Sequence, residues 1–168
     1  MPIQRLNHAV LYVRDVARSV AFYTEALGFR VVMEMPGQAA FLQAAGSTND
    51  HDLGLFAIGD RAGASTAGRS TVGLYHLAWE VDTLAELQRI SGVLTERGAL
   101  VGASDHGSTK ALYAQDPDGI EFEVSWLVPA ALLDPEQTIS TRPLHLEREI
   151  ERYGADTRGG VGVSVPTA

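Results

Sequence analysis

The sequence predicts an α+β fold made of two tandem βαβββ modules. The first observation is a repeat: the pattern L-x-H-x-x-x-x-V occurs at residues 6–13 and again at 74–81, offset by 68 residues. The second is that an amphipathic segment follows each copy, and the third is that three short strand-like segments follow each amphipathic one. We therefore expect modules at about residues 3–58 and 73–128, joined by the small, polar linker 59–72.

The first module begins with the strand 6–13, which is rich in Val, Leu and Tyr. A helix should begin at Asp15, a good N-cap residue, and end at Gly28, a residue typical of helix C-termini. Three strands are then predicted, with Gly, Pro and Asp at the turns between them; they read FRVVMEM, AAFLQAA and DLGLFAI.

The second module repeats this order. After the strand 74–81, a helix is predicted from about Asp82 to Gly98, with Gly92 as a weak position inside it. Its three strands are predicted at LVGASD, KALYAQD and IEFEVSW. Together the two modules should form one domain over residues 1–128.

Residues 129–168 lie outside the repeat and are predicted to form a C-terminal extension. Within it, residues 134–154 have the pattern of one or two amphipathic helices, and residues 155–168 that of a mobile tail. We favour packing or a dimer contact over a direct catalytic role for this extension.

Composition excludes several classes of function. The 168 residues suffice for one compact domain, and the net charge of −8 without a basic cluster disfavours nucleic acid as a partner. No apolar run is long enough for a membrane span, and the N-terminus does not resemble a secretory signal, so a cytoplasmic location is expected. Because the chain has no cysteine, any metal must be bound by His and carboxylate.

Two histidines occupy equivalent positions in the repeat. His8 and His76 are the histidines of the two L-x-H-x-x-x-x-V copies. A single His on a strand is usually structural, but a matched pair is harder to explain in that way. If the modules pair about a pseudo-twofold axis, both rings point into one cavity, and this predicts a metal site.

A third ligand should be a carboxylate, the usual companion of two His ligands at iron. Glu121 and Glu123 lie on one face of the last predicted strand, opposite an apolar face. Alternation alone allows either residue to bind the metal, and equally allows both to lie on a solvated sheet edge.

The surrounding stretch resembles the ring-cleavage signature of type I extradiol dioxygenases. That signature has a His, an apolar residue followed by Tyr, Asp-Pro-x-Gly and a Glu, which here are His106, Leu112, Tyr113, Asp116-Pro117-Asp118-Gly119 and Glu123. The spacing selects Glu123 over Glu121, and Ser104 is a mild departure from the pattern. More broadly, residues 3–128 resemble the vicinal oxygen chelate superfamily, which includes glyoxalase I and antibiotic-resistance proteins. The resemblance implies an open mixed β-barrel around a metal site.

The resemblance also implies a chemistry. His8, His76 and Glu123 would bind Fe(II), or alternatively Mn(II), and a catechol and O2 would occupy its open positions. His106 would act as acid and base, and Tyr113 would hydrogen-bond the substrate oxygens. The structural alternatives are that His106 is an exposed loop residue and that Tyr113 is part of the core. The product would be a ring-opened semialdehyde.

Glyoxalase-type members commonly use four protein ligands, and the fourth lies in the first module at the place equivalent to Glu123. The repeat offset puts that place at Leu55, or at Leu53 if the second helix is two residues longer. A leucine there would leave the metal with open positions, whereas a register error could bring His51 or Asp52 into the site.

Three other functions stay open from the sequence. One is a glyoxalase-like isomerase or an antibiotic-modifying transferase, which would use Zn or Ni. Another is a drug-binding resistance protein, which would need no metal triad, and the last is an inert module with a structural metal. The chain resembles the small single-domain type of extradiol enzyme, so loops and the extension should shape the pocket. A homodimer or larger homo-oligomer is expected.

Overall fold

The computed structural model of the chain describes residues 2–3, 5–67, 70–134 and 140–160. The chain divides into two compact units, one formed by Met1–Thr66 with Asp116–Gly119 and the other by Ala67–Gln115 with Ile120–Ala168. The element order is βαβββ twice, which confirms the predicted α+β fold.

The first unit has one four-stranded mixed sheet in the order β1-β4-β3-β2. β1 and β4 pair in parallel, and the other neighbours are antiparallel. Its elements are β1 (Ala9–Val13), α1 (Val16–Leu27), β2 (Arg30–Met35), β3 (Ala39–Gln43) and β4 (Leu53–Ala57).

Helix α1 begins and ends where the sequence predicts. The side chain of Asp15 accepts a hydrogen bond from the Arg18 backbone N–H, so it satisfies one of the unpaired donors of the first turn. Gly28 stops the helix with a φ of 72°, a left-handed conformation that glycine adopts without a steric penalty.

The second unit has a five-stranded sheet in the order β5-β8-β7-β6-β9, with β5 and β8 parallel. Its helix α2 begins after Thr83, which caps it by accepting from the Glu86 backbone N–H, slightly later than the predicted start at Asp82. The elements that repeat the module are β5 (Leu77–Glu80), α2 (Leu84–Glu96), β6 (Leu100–Asp105), β7 (Thr109–Gln115) and β8 (Glu121–Leu127).

Both repeat strands are shorter than predicted. β1 starts at Ala9 and β5 starts at Leu77, so His8 and His76 each lie one residue before a strand instead of within it. The expectation that the first strand begins at residue 6 and includes His8 is therefore wrong, because pairing with β4 begins only at Ala9. The equivalence of the two histidines is retained.

The C-terminal extension is only partly helical. A short 3-10 helix covers Ala130–Leu132, and α3 covers Leu146–Tyr153. Between them the helical prediction is wrong at β9 (Arg142–Pro143), an edge strand paired with β6. An edge strand tolerates a proline that a helix interior would not, because proline lacks the N–H of the helical hydrogen bond. Residues 135–139 lie outside the described residues.

Residues 155–160, which the sequence assigns to a mobile tail, make hydrogen bonds within the second unit. The Ala85 backbone N–H donates to the Ala155 carbonyl at 2.9 Å, and Trp126 Nε1 donates to the Thr157 carbonyl at 3.1 Å. The Gly159 N–H also donates to the Asp82 carbonyl at 2.9 Å, which ties the segment to the start of α2. Residues 161–168 lie outside the described residues.

Within the described ranges, the structure contains no helix with the length and apolarity needed to span a bilayer.

Candidate functional site

Parallel pairing of β5 with β8 brings a histidine and a carboxylate together in the second unit. Ala78 of β5 lies opposite Glu123 of β8, and His76 comes just before β5. His76 Nε2 is 3.3 Å from Glu123 Oε2, and only 23% and 13% of the two side chains are exposed. His76 Nδ1 is buried and has no hydrogen-bond partner among the described residues.

This pair fits a metal ion. Two ligand atoms that sit at about 2.1 Å from one ion and at right angles to each other are about 3 Å apart, which is close to the observed separation. An imidazole nitrogen beside a carboxylate oxygen suits Fe(II), Mn(II), Zn(II) or Ni(II). Ligation through Nε2 of His76 would place the proton of the neutral ring on its Nδ1.

Tyr113 lies on β7 directly opposite Glu123, and its ring centroid is 5.8 Å from that of His76. Burial, followed by the charge of Glu123 and a side-chain hydrogen bond with it, raises the pKa of Tyr113 to about 12. The phenol therefore keeps its proton at neutral pH and can act as a hydrogen-bond donor.

His106 follows β6 in the turn of the β6–β7 hairpin. Its Nε2 is 3.0 Å from the Tyr113 hydroxyl oxygen, and its Nδ1 is 3.2 Å from the Ser140 carbonyl oxygen. The second unit thus brings together four of the five residues that the sequence singles out: His76, His106, Tyr113 and Glu123.

The remaining residue, His8, belongs to the first unit. Its Nδ1 is 2.7 Å from the amide oxygen of Asn7, an acceptor that leaves Nε2 as the atom able to bind an ion. Its ring centroid is 4.4 Å from that of His51. Among residues 2–3, 5–67, 70–134 and 140–160, no group of three or more His, Asp or Glu side chains is placed to hold a metal ion. The set of His8, His76 and Glu123 therefore stays a prediction.

The strand register corrects the position equivalent to Glu123. Val10 pairs with Gly54 in the first unit as Ala78 pairs with Glu123 in the second. The equivalent residue is therefore Gly54, and the sequence-based choice of Leu55 or Leu53 is wrong. The second module is longer than the first by one residue between these strands, 123 − 78 = 45 against 54 − 10 = 44, instead of by zero or two.

Apolar groups surround Gly54. Phe41 of β3 lies opposite it, as Tyr113 lies opposite Glu123 in the second unit. A Cβ atom on Gly54 would lie 3.4 Å from Val10 Cγ2 and 3.7 Å from Phe41 Cε1, so a methyl group would fit but a carboxylate would meet hydrocarbon. The place equivalent to Glu123 therefore holds a residue without a metal-binding side chain. The sequence predicted this too, but assigned the place to Leu55 or Leu53 instead of Gly54.

Asp52 and His51, the two residues that a register error could bring into the site, differ in how their side chains are already bonded. Asp52 is buried, and its carboxylate accepts hydrogen bonds from the Ala44 backbone N–H, the Ser47 hydroxyl and the Asn49 amide. It therefore has a structural role in the loop before β4. His51 packs edge-on against Phe41, with ring centroids 5.1 Å apart, and its Nδ1 is 3.2 Å from Asp50 Oδ2.

Sequence reasoning missed two contacts, one at His8 and one at His106. Asn7 could have been found, because an amide residue directly before a proposed ligand can orient its ring. The Ser140 carbonyl could not, since a backbone acceptor 34 residues from His106 leaves no sequence signal.

Comparison with known proteins relates the chain to one superfamily. Residues 5–124 match the family described as "Glyoxalase/Bleomycin resistance protein/Dioxygenase superfamily". A catechol-2,3-dioxygenase of Bacillus subtilis is 32% identical over 120 residues, which cover 71% of this chain and 40% of that protein. A lactoylglutathione lyase of Salmonella typhimurium is 30% identical over 127 residues, which cover 71% of this chain and 90% of that protein.

A solved structure has the same fold. A glyoxylase/bleomycin resistance protein/dioxygenase domain from Frankia sp. EAN1pec aligns with a TM-score of 0.62 at 23% identity, covering 74% of this chain and 92% of that domain.

Proposed function

Because this chain belongs to the glyoxalase/bleomycin resistance protein/dioxygenase superfamily, we propose that it is an extradiol ring-cleaving dioxygenase. It would insert both atoms of O2 into a catechol-type aromatic, breaking the carbon–carbon bond beside the two hydroxyls. One catechol and one O2 give one ring-opened semialdehyde, so atoms and electrons balance without an external reductant.

The observation that carries this proposal is the side-chain cluster of the second unit. A potential ligand pair, His76 and Glu123, is 3.3 Å apart, and a potential proton-transfer pair, His106 and Tyr113, is 3.0 Å apart. Tyr113 belongs to both groups, because it also faces Glu123 across the β7–β8 pairing. Metal ligands beside an imidazole–phenol pair are what cleavage of a catechol requires.

The proposed ligands are His8, His76 and Glu123, with Fe(II) as the metal and Mn(II) as the alternative. When bound, Fe(II) would supply a Lewis acid for the catechol hydroxyls and electrons for dioxygen. Three protein ligands leave coordination positions for both reactants, and Gly54 adds no fourth donor at the equivalent place in the first unit.

The chain's own residues would bind the substrate and move its protons. Tyr113 keeps its proton and so can donate a hydrogen bond to a substrate oxygen. His106 can take the proton that the catechol loses and return it to the product, because imidazole is the side chain suited to proton exchange near neutral pH. The proposed partners are a small catecholic substrate and O2, and a homodimer or larger homo-oligomer stays a prediction.

A second candidate is a metal-dependent isomerase or transferase of the same superfamily. The lactoylglutathione lyase that matches this chain is covered to 90% of its length, whereas the catechol-2,3-dioxygenase is covered to only 40%. Such an enzyme would use Zn(II) or Ni(II). The absence of a donor at Gly54 weighs against the four-ligand version of this alternative.

The deciding experiment is anaerobic reconstitution with Fe(II), followed by a panel of substituted catechols in air. We expect oxygen uptake and a yellow ring-fission product, both lost in His76→Ala. Glu121→Gln is the matched control, since Glu121 neighbours the proposed ligand on β8 without facing Tyr113. Bound iron without oxygen uptake from any catechol would contradict the proposal and favour the isomerase or transferase, to be tested with Zn(II), Ni(II) and Mn(II).

A further inference from the structure

The C-terminal extension returns to the hairpin that carries His106. β9 pairs antiparallel with β6, with Arg142 opposite Asp105 and Pro143 opposite Ser104. Continuing this register by one residue places Thr141 opposite His106. A segment expected only to pack, or to contact a second copy, therefore runs alongside the proposed acid and base.

The contacts of His106 define its protonation pattern. Nδ1 is 3.2 Å from the Ser140 carbonyl oxygen and 3.3 Å from the Thr141 hydroxyl oxygen. A carbonyl oxygen can only accept a hydrogen bond, so a bond with Ser140 requires the proton on Nδ1, whereas a bond donated by the Thr141 hydroxyl would require the opposite tautomer. In the neutral ring with its proton on Nδ1, Nε2 is the unprotonated atom, and it accepts the single proton of the Tyr113 hydroxyl at 3.0 Å in competition with the Glu123 carboxylate, the other acceptor of that hydroxyl.

The extension is held in this place by buried charges. Lys110, at the other end of the same hairpin turn, is fully buried, and its Nζ lies 2.5 Å from Asp105 Oδ1 and 3.0 Å from Glu149 Oε2 of α3. Arg142 Nη2 adds a contact to Asp105 Oδ2 at 3.3 Å. If the extension moved away, Lys110 would keep Asp105 but lose Glu149, so the buried ammonium would lose one of its two carboxylate partners.

We propose that Ser140 and Thr141 are positioning residues for His106. The Ser140 carbonyl fixes the tautomer with the proton on Nδ1, and so leaves Nε2 as the atom that accepts a hydrogen bond from Tyr113 and exchanges a proton with the substrate. The catalytic part of this inference rests on the proposed dioxygenase function, whereas the tautomer does not. The extension then takes part in the reaction without contacting the substrate.

The test begins with the tautomer, which nitrogen-15 NMR of labelled imidazoles reports in the metal-free protein. The spectrum is recorded at about pH 8, where neutral rings dominate, and the His106 signal is assigned by its loss in His106→Gln. We expect the Nδ1–H form for His106. An Nε2–H form in the wild-type protein would overturn the proposal.

A charge-reversed variant tests the role of the extension. Arg142→Glu would repel Asp105 and loosen β9 from β6, while Arg142 is itself 58% exposed and so is not needed for the core. We expect the single tautomer of His106 to be lost in this variant. We also expect kcat to fall about 10-fold, with KM and bound iron unchanged. This loss is a small part of the roughly 100- to 10,000-fold rate contribution that is typical of acid–base catalysis. Arg148→Glu, an exposed reversal on α3, should behave like the wild type.

The outcomes separate this inference from the proposed function. If Arg142→Glu keeps both the wild-type tautomer and the wild-type kcat, the positioning role is wrong. If His106 shows the Nδ1–H form and loses it in Arg142→Glu, but no catechol is cleaved by the wild type, the positioning stands and the dioxygenase proposal fails.

Discussion

At matched positions in the two sheets, the first unit places Phe41 opposite Gly54, whereas the second places Tyr113 opposite Glu123. The backbones around these pairs agree closely. The β2–β3 hairpin of the first unit has a register irregularity between Val31 and Met33. The β6–β7 hairpin of the second unit has one at the equivalent place, between Leu100 and Gly102. The two units therefore differ at this place in their side chains and share their strand pairing.

The hairpins themselves differ in length. In the first unit Met33 pairs with Phe41, 41 − 33 = 8 residues later in the chain. In the second unit Gly102 pairs with Tyr113, 113 − 102 = 11 residues later. Two of the three additional residues extend the paired strands β6 and β7, and one lengthens the turn in which His106 lies. The second unit thus differs from the first by the two side chains Tyr113 and Glu123, a longer hairpin and the added edge strand β9, on the same order of the four repeated strands.

The largest effect should come from removing the carboxylate that distinguishes the second unit. Glu123→Ala is expected to lower Fe(II) affinity by more than about 100-fold, or about 2.7 kcal/mol, because it deletes a proposed ligand. Metal titration of the purified variant by calorimetry measures this. Gly54→Ala is the matched change in the first unit and should leave the affinity unaltered, as its Cβ has room. Equal losses in the two variants would remove the distinction between the units.

A smaller effect should follow from disturbing the extension, which only the second unit has. A Cβ atom on Gly159 would lie 2.2 Å from the Leu127 carbonyl oxygen and 2.7 Å from Trp126 Nε1. Gly159→Ala should therefore lower the free energy of unfolding by about 1–3 kcal/mol in urea denaturation. Gly73→Ala, with no atom within 4 Å of its Cβ, is the control. An unchanged midpoint for Gly159→Ala would show that residues 155–160 do not need this packing.

A carboxyl of the first unit, Asp118, should contribute to the response of the protein to acid. Burial would raise the pKa of Asp118, but hydrogen bonds from the backbone and side chain of Arg14, with the charge of Arg18, hold it below the ordinary value. A carboxyl whose pKa is lower when folded adds stability above its unfolded pKa of about 3.9, and this is lost as pH falls through the folded value. Stability should fall as the pH drops below about 5, where the unfolded carboxyl begins to take up its proton, and it should fall less steeply in Asp118→Asn.

The control for this dependence is Asp60→Asn, an exposed carboxyl of the same unit, which should keep the wild-type pH profile. An Asp118→Asn profile that parallels the wild type would mean that the pairs with Arg14 and Arg18 contribute nothing to folding.

The smallest effect concerns the two helices. α2 contains an exposed glycine, Gly92, where an added Cβ atom would have no atom within 4 Å, whereas α1 contains none. Gly92→Ala should raise the free energy of unfolding by about 0.5–1 kcal/mol, because alanine loses less backbone entropy in a helix. Thermal or urea unfolding can resolve it, and a loss of stability would indicate that the helix packs more tightly there than the structure shows.

The sequence predicted much of the frame, because its signals were local. The N-cap Asp15 and the stop at Gly28 define α1 within a few residues of chain, and the strands follow from short apolar runs. The spacing from His106 to Glu123 likewise identified residues that the second unit does bring together.

What the sequence could not predict depends on non-local pairing. The register that makes Gly54 the partner position of Glu123 is set by parallel strands 44 and 45 residues apart, where a one-residue error is invisible in the pattern. The packing of residues 155–160 depends on contacts with Trp126 and α2 that no local propensity encodes. The joint role of His8, His76 and Glu123 stays a prediction.

The parallel pairing of β5 with β8 has a consequence for how the protein folds. These strands are the first and last of their module, so His76 and Glu123, 123 − 76 = 47 residues apart, meet only when that length of chain has closed upon itself. Loop closure of this kind is entropically costly and slow, and the unfolded chain offers no preformed pair. An ion held by the pair would bind the folded state alone and pull the folding equilibrium toward it by mass action. Metal supply during growth would then govern the yield of folded protein as well as its activity.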